Sequence, residues 1–136
     1  APRCLQESIQ RDSALENPLD VYHYLTHKLR PYPYEVFSCL FLDNAHRFIH
    51  FEELFHGSIN EAAIYPRELI RQVYEHNAAA VILAHNHPSG IAEPSEADKR
   101  ITQEIKSILS AIDVRLLDHI IIGEGAITSF ASQGLL

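Results

Sequence analysis

The chain has 136 residues, 46% apolar and 21% charged, with a formal net charge of −7. That is enough chain for one buried core without disulfides or a structural metal. The acidic balance and the lack of a Lys/Arg stripe argue against direct nucleic-acid binding by this fragment, because phosphate neutralisation supplies most of that affinity. No apolar run reaches membrane-spanning length and no basic, then apolar, leader is present, so no membrane association is expected.

The Ala1-Pro2 start, without Met, reads as a trimmed end. Cys4 and Cys39 are lone cysteines without C-x-x-C spacing. They suggest neither a disulfide framework nor a cysteine metal site, and a reducing, cytoplasmic setting is the economical reading.

Residues 3–16 are mixed and polar, a short helix that docks loosely. Asn17-Pro18 is a helix start, with Asn as N-cap and Pro at the first helical position. Val21, Leu25 and Leu29 then recur at helical spacing until Pro31 and Pro33 end the element. Tyr34 to Asp43 is apolar on both faces, as in a strand buried from both sides. Asp43-Asn44-Ala45-His46 reads as a hairpin turn into a second strand, Arg47 to His56, closed by Gly57.

A helix is expected from Pro66 with Leu69, Ile70, Val73 and Tyr74 on one face, followed by a short apolar run, Ala78 to Ala84. Ser95-Glu96-Ala97-Asp98 has the form of a capping box. It opens a long helix with an apolar stripe of Ile101, Ile105, Ile108, Leu109 and Ile112. Val114 to Gly123 reads as a third long strand, Ala126 to Phe130 as a short one, and the C-terminus as a last helical turn. Interleaved elements of this kind predict an α/β fold: a single-domain mixed β-sheet flanked by helices.

The chemistry concentrates where the apolar run ends. His85-Asn86-His87-Pro88-Ser89-Gly90 is followed by Ser95 and Asp98, giving H-x-H, seven residues, then S-x-x-D. Imidazoles two positions apart project to the same side of an extended backbone. A carboxylate from the first turn of the next helix would complete a three-ligand face and leave a fourth position open, as in catalytic rather than structural zinc sites. Ser95 and Asp98 also have an ordinary reason to be there, since the same pattern stabilises helix starts that bind nothing. The two roles are compatible, because a capping carboxylate is held in a narrow range of orientations.

These residues resemble the JAMM (MPN-plus) metalloprotease motif. Ile59-Asn60, Tyr65-Pro66-Arg67-Glu68, Asn77-Ala78-Ala79-Ala80 and Leu117-Asp118-His119 around them look like the RadC branch, and the likeness runs from about Glu35 to Leu136. The resemblance implies one RadC-type JAMM (MPN) domain over residues 1–136, a cytidine-deaminase-like sandwich with 1–16 loosely packed. It implies His85, His87 and Asp98 as metal ligands with Zn2+ as the ion, although imidazole and carboxylate also admit other divalent cations. Bound water would become a nucleophile near neutral pH, and the Ser95 hydroxyl would bond that water or the developing oxyanion. Asn86 stands where many deubiquitinating relatives carry Ser or Thr, as it does across RadC proteins. The helix-hairpin-helix segment of full-length RadC proteins is missing, which makes the chain either a catalytic-domain fragment or a short RadC-like protein.

The family also uses a glutamate as general base and acid at the start of an upstream strand. Glu35, followed by Val36-Phe37-Ser38-Cys39-Leu40, matches best. Glu53 is the rival, because it falls on the strand face of Ile49, Phe51 and Phe55, and a carboxylate among apolar neighbours needs a reason. His23 and His27 are four apart on a helix, but Tyr24 replaces the Glu of H-E-x-x-H, so a solvated face is favoured. Asp118-His119 is either an orienting pair for a ligating histidine or a satisfied core pair. The P-C-x-x-C ligands of zinc nucleobase deaminases are missing. Taken together, the expected function is zinc-dependent hydrolysis of an amide bond in a peptide or protein substrate. The alternative is a non-catalytic interaction module linked to DNA repair or replication.

Overall fold

Helix α1 (Pro18–Leu29) begins as its first residues dictate. The Asn17 side chain accepts from the Leu19 N–H at 3.0 Å, and Pro18 occupies a position whose N–H would have no partner. In the computed structural model, residues 17–57 and 65–136 are described; the expected helix in 3–16, Cys4 and Ile59-Asn60 lie outside them.

Five strands follow: β1 (Val36–Leu42), β2 (Phe48–His56), β3 (Ala80–Asn86), β4 (Arg115–Ile122) and β5 (Ile127–Ser129), with helices α2 (Pro66–Glu75) and α3 (Glu96–Ala111) between them. They form one sheet in the order β2-β1-β3-β4-β5. β3 and β4 run parallel through the α3 crossover, and the other pairs are antiparallel. This is the mixed sheet with flanking helices that the sequence predicts. β1 and β3 are buried along their whole length, the condition under which a strand reads as a continuous apolar run.

On one face Val21, Tyr24, Leu25 and Leu29 of α1 pack on Val36, Leu40, Ile82 and Ile120. On the other, Leu69 and Val73 of α2 and Ile101, Ile105 and Leu109 of α3 pack on Phe37, Cys39, Phe41, Val81 and Leu83. Each fully buried Leu or Ile here contributes roughly 1.5–3 kcal/mol.

Several local expectations are corrected. Tyr74 does not join the apolar face of α2: it is 69% exposed, Ile70 is half-buried, and Gln72 takes the inward position. Ile108 is only partly buried on α3, whereas Thr102 is fully buried in the stripe. The chain after Phe130 forms hydrogen-bonded turns instead of a helix, with Leu135 N–H donating to the Phe130 carbonyl.

The strands also break strict alternation. The β1–β2 register shifts between Phe37 and Ser38 and again between Phe41 and Leu42, and the β3–β4 register shifts at Leu117, where Val81 pairs Leu116 and Ile82 pairs Asp118. Such bulges re-aim every side chain beyond them. The single face assumed for Ile49, Phe51 and Phe55 is thereby split: Ile49 and Phe55 pack toward α2 and α3, Phe51 toward α1.

Candidate active site

β3 runs through His85 and Asn86 before it ends, so the motif is the strand's own C-terminal edge, where α/β sheets place ligands. The His85 ring is fully buried and stacks on Phe37, its partner on β1. His87 is held at the strand's exit: its N–H donates to the Ile122 carbonyl at 2.8 Å, and the Gly90 N–H donates back to its carbonyl at 2.9 Å. Gly90 closes that turn with φ +99°, a region that glycine enters without steric cost.

The turn is pinned from outside by Glu124 N–H, which donates to the Gly90 carbonyl. A Cβ on Gly123 would lie 2.5 Å from that same carbonyl oxygen and 3.0 Å from Ala92. Gly123→Ala is therefore expected to destabilise the fold by about 1–3 kcal/mol and to displace the loop that carries His87. Thermal melting checks this, and an unchanged melting temperature would count against it.

His85 Nε2 and His87 Nε2 come within 2.9 Å of each other. Asp98 completes the face from the first turn of α3, with Oδ1 at 3.3 Å from His85 Nε2 and Oδ2 at 3.4 Å from His87 Nε2. The capping box is formed in both directions: Asp98 N–H donates to Ser95 Oγ at 3.0 Å, and Ser95 N–H donates to Asp98 Oδ2 at 2.8 Å. Capping and facing the imidazoles are thus done by one carboxylate.

The donor set fits a divalent ion. Around an ion with tetrahedral bonds of about 2.0–2.2 Å, ligand atoms sit about 3.4 Å apart, close to the separations here. His87 Nδ1 lies 2.8 Å from the Ile91 carbonyl oxygen, which can only accept. The ring proton is therefore assigned to Nδ1, and a neutral His87 turns the lone pair of Nε2 inward.

Burial alone would raise the Asp98 pKa, yet its bonds to His85 and His87 outweigh it and hold the carboxyl well below the usual range. The same carboxylate, through its hydrogen bond, raises His87 above ordinary imidazole.

Glu35 stands opposite, just before β1. Its Oε1 lies 3.8 Å from His87 Nε2, and one ligand atom from each of Glu35, His85 and His87 falls within 4.8 Å of the others. Its backbone is clamped by Asn86, the residue between the two histidines. The Asn86 amide accepts from Val36 N–H at 2.7 Å and donates to the Tyr34 carbonyl at 2.9 Å, gripping the chain on both sides of Glu35. Gly57 N–H donates to the Glu35 carbonyl at 2.7 Å.

Glu53, the sequence rival, is turned elsewhere: it accepts from the Tyr32 hydroxyl at 2.7 Å and faces His56 at 3.0 Å. Glu35, His87, Ser95 and Asp98 line one open cleft of about 580 Å³, walled by Tyr34, Gly57, Pro88 and Ser89.

His23 and His27 lie on the exposed side of α1. Asp118 is not the orienting group the sequence allowed. Its oxygens accept from the backbone of His119 and Ala131 and from the Ser129 hydroxyl, a satisfied structural role. His119 itself, fully buried, reaches His85 Nδ1 at 2.8 Å. Thr102, which the sequence reading passed over, lies 2.6 Å beyond it. The signal for Thr102 was its place one turn after Asp98 and in line with Ile105 and Leu109 on the buried side of α3.

A family model described as a RadC-like JAB domain matches residues 15–135. A UPF0758 protein of Nitrosococcus oceani is 56% identical over 98% of this chain and 60% of its own length. Similar proteins, also named UPF0758, occur in Pseudomonas fluorescens (56% identical, 98% of this chain, 60% of that protein) and Stutzerimonas stutzeri (54%, 97% and 59%). The chain thus spans about three-fifths of the length of these relatives.

Proposed function

The chain belongs to the RadC-like JAB domain family, and from that premise we propose that it is a zinc-dependent hydrolase of peptide or isopeptide bonds. One observation supports this above the others: two imidazole nitrogens and a carboxylate converge within 3.4 Å, with a second carboxylate 3.8 Å away across an open cleft.

His85, His87 and Asp98 are the residues that would hold the ion, and two imidazoles with one carboxylate suit zinc. When bound, zinc lowers the pKa of water and polarises a carbonyl. Glu35 takes the proton of the attacking water and delivers it to the leaving nitrogen. The Ser95 oxygen accepts from the Asp98 N–H, which leaves its own proton free to donate to the oxyanion. Amide specificity rests on the family likeness, since the chemistry itself requires only an ion, water and a base.

The cytoplasm suits Cys39, which is buried, unpaired and pushed to a high pKa by that burial. Among the described residues, no helix is long and apolar enough to cross a membrane.

The test is zinc stoichiometry followed by turnover on a library of peptide and isopeptide substrates. One bound zinc with cleavage that depends on Glu35 supports the reading. Absence of binding overturns it, and zinc without any Glu35-dependent cleavage favours a non-catalytic interaction module.

Zinc and the proton compete for His87 Nε2. Because Asp98 raises the proton affinity of that ring, zinc affinity is expected to begin falling at a higher pH than for an unperturbed histidine. Below that point it should fall by about tenfold per pH unit for each proton displaced. A dissociation constant that stays flat from about pH 8 to pH 5, the range in which histidine titrates, would contradict this.

A further inference from the structure

We infer that Thr102 and His119 are positioning residues that fix the tautomer and ring direction of His85, and thereby set its Nε2 as a metal donor. The inference rests on the metal-site reading above, although the proton arrangement follows from geometry by itself.

Asp98, already placed at the site by its side chain, also supplies the starting point through its backbone. Its carbonyl oxygen lies 2.6 Å from Thr102 Oγ1, one helical turn on. A carbonyl can only accept, so the hydroxyl proton points there. Thr102 Oγ1 also lies 2.6 Å from His119 Nδ1. With its one proton committed, the hydroxyl must accept, and Nδ1 of His119 carries the hydrogen.

His119 is fully buried, stacked on Phe130 at 4.5 Å and edge-on to Phe37. With phenyl rings on two sides and Thr102 and His85 at its two nitrogens, the buried ring is neutral, because a buried charge without an anion bonded to it is costly, and Nε2 is an acceptor. His85 Nδ1, 2.8 Å away, must therefore donate, and in the neutral ring the lone pair of His85 Nε2 turns into the cleft. Each proton assignment forces the next.

Ligating histidines usually donate their other N–H to a carboxylate, a carbonyl or water, which fixes the ring. Here a neutral imidazole takes that place, so the ring is oriented without a second negative charge beside Asp98. The opposite tautomer of His119 would oblige His85 Nδ1 to accept. His85 Nε2 would then present a hydrogen to the cleft and could not ligate. Thr102 is the residue that prevents this, by offering Nδ1 of His119 an acceptor.

Thr102→Val removes the hydroxyl at nearly constant volume, and Thr102→Ser keeps it. The experiment uses the whole chain. Zinc affinity is measured by competition with a chromophoric chelator, the His85 tautomer by nitrogen NMR shifts in the metal-free protein, and folding by thermal melting. Thr102→Val is expected to bind zinc about 10–100-fold more weakly, as is usual when an outer partner of a ligand is lost, and to show a mixed His85 tautomer. Thr102→Ser should restore both. His119→Phe, which lacks any acceptor for His85, should lose affinity even where it folds.

A folded Thr102→Val protein with wild-type zinc affinity and an unchanged His85 tautomer overturns the inference. Wild-type protein that binds no zinc brings down the metal-site reading instead, while the tautomer comparison still decides the relay.

Discussion

Glu35→Gln is expected to leave one zinc bound per chain while lowering turnover by about 10²–10⁴-fold, the usual contribution of general acid–base catalysis. The substitution removes the basic oxygen at nearly constant shape. It leaves untouched the backbone that holds the position, because the Asn86 clamp grips Val36 N–H and the Tyr34 carbonyl, and the Gly57 N–H meets the Glu35 carbonyl. Loss of activity therefore cannot be charged to a displaced strand. The carboxylate is 3.8 Å from His87 Nε2, farther than either Asp98 contact to the imidazoles, so it stands apart from the residues that would hold an ion. Glu53→Gln serves as the comparison: it loosens the Tyr32 and His56 contacts and should leave turnover within a few-fold, as ordinary for a residue outside the chemistry. Metal content by mass spectrometry and initial rates on one cleavable substrate decide it. Equal rates for Glu35→Gln and wild type would remove Glu35 from the mechanism.

Asp98→Asn separates the two tasks of one side chain. Asparagine keeps an oxygen to accept the Ser95 N–H, so the start of α3 is preserved. What it loses is the charge that faces both imidazoles. Zinc affinity is expected to fall by more than the 10–100-fold typical of an outer partner, since a direct ligand charge is gone, and activity should fall with it. Asp98→Ala keeps the bond to Ser95 Oγ but also loses the acceptor for the Ser95 N–H, and should be less stable than Asp98→Asn by about 1 kcal/mol. Dialysis against a weak chelator followed by metal analysis, with melting curves of the metal-free proteins, gives both numbers. Stoichiometric zinc retained by Asp98→Asn would show that the ion is held some other way.

The parts of the site legible in the sequence are those encoded by local periodicity. His85 and His87 share a side because strand residues alternate, and Asp98 is aimed by the same capping box that opens α3. The elements themselves follow from the same kind of signal: the Asn17-Pro18 cap of α1, the two-sided apolar run of β1, the helical stripe of Ile101, Ile105 and Leu109. Tyr74 shows the limit of that signal. Its spacing fits the α2 stripe, but Gln72 is buried instead, because the area a helix covers depends on the surface it meets.

The sequence alone determined the paired imidazoles, the capping carboxylate and the strand and helix that carry them, since each is fixed by neighbours within a few residues. Only the tertiary structure places Glu35, and not Glu53, across the cleft from the imidazoles, because that depends on how β1 and β2 pair and where each side chain then points. It also decided which way His119 points. With strict alternation from Leu116, this ring would face α1; the unpaired Leu117 shifts β4 by one residue and turns it toward His85. A bulge is a property of two strands in register, and no window of one strand contains it.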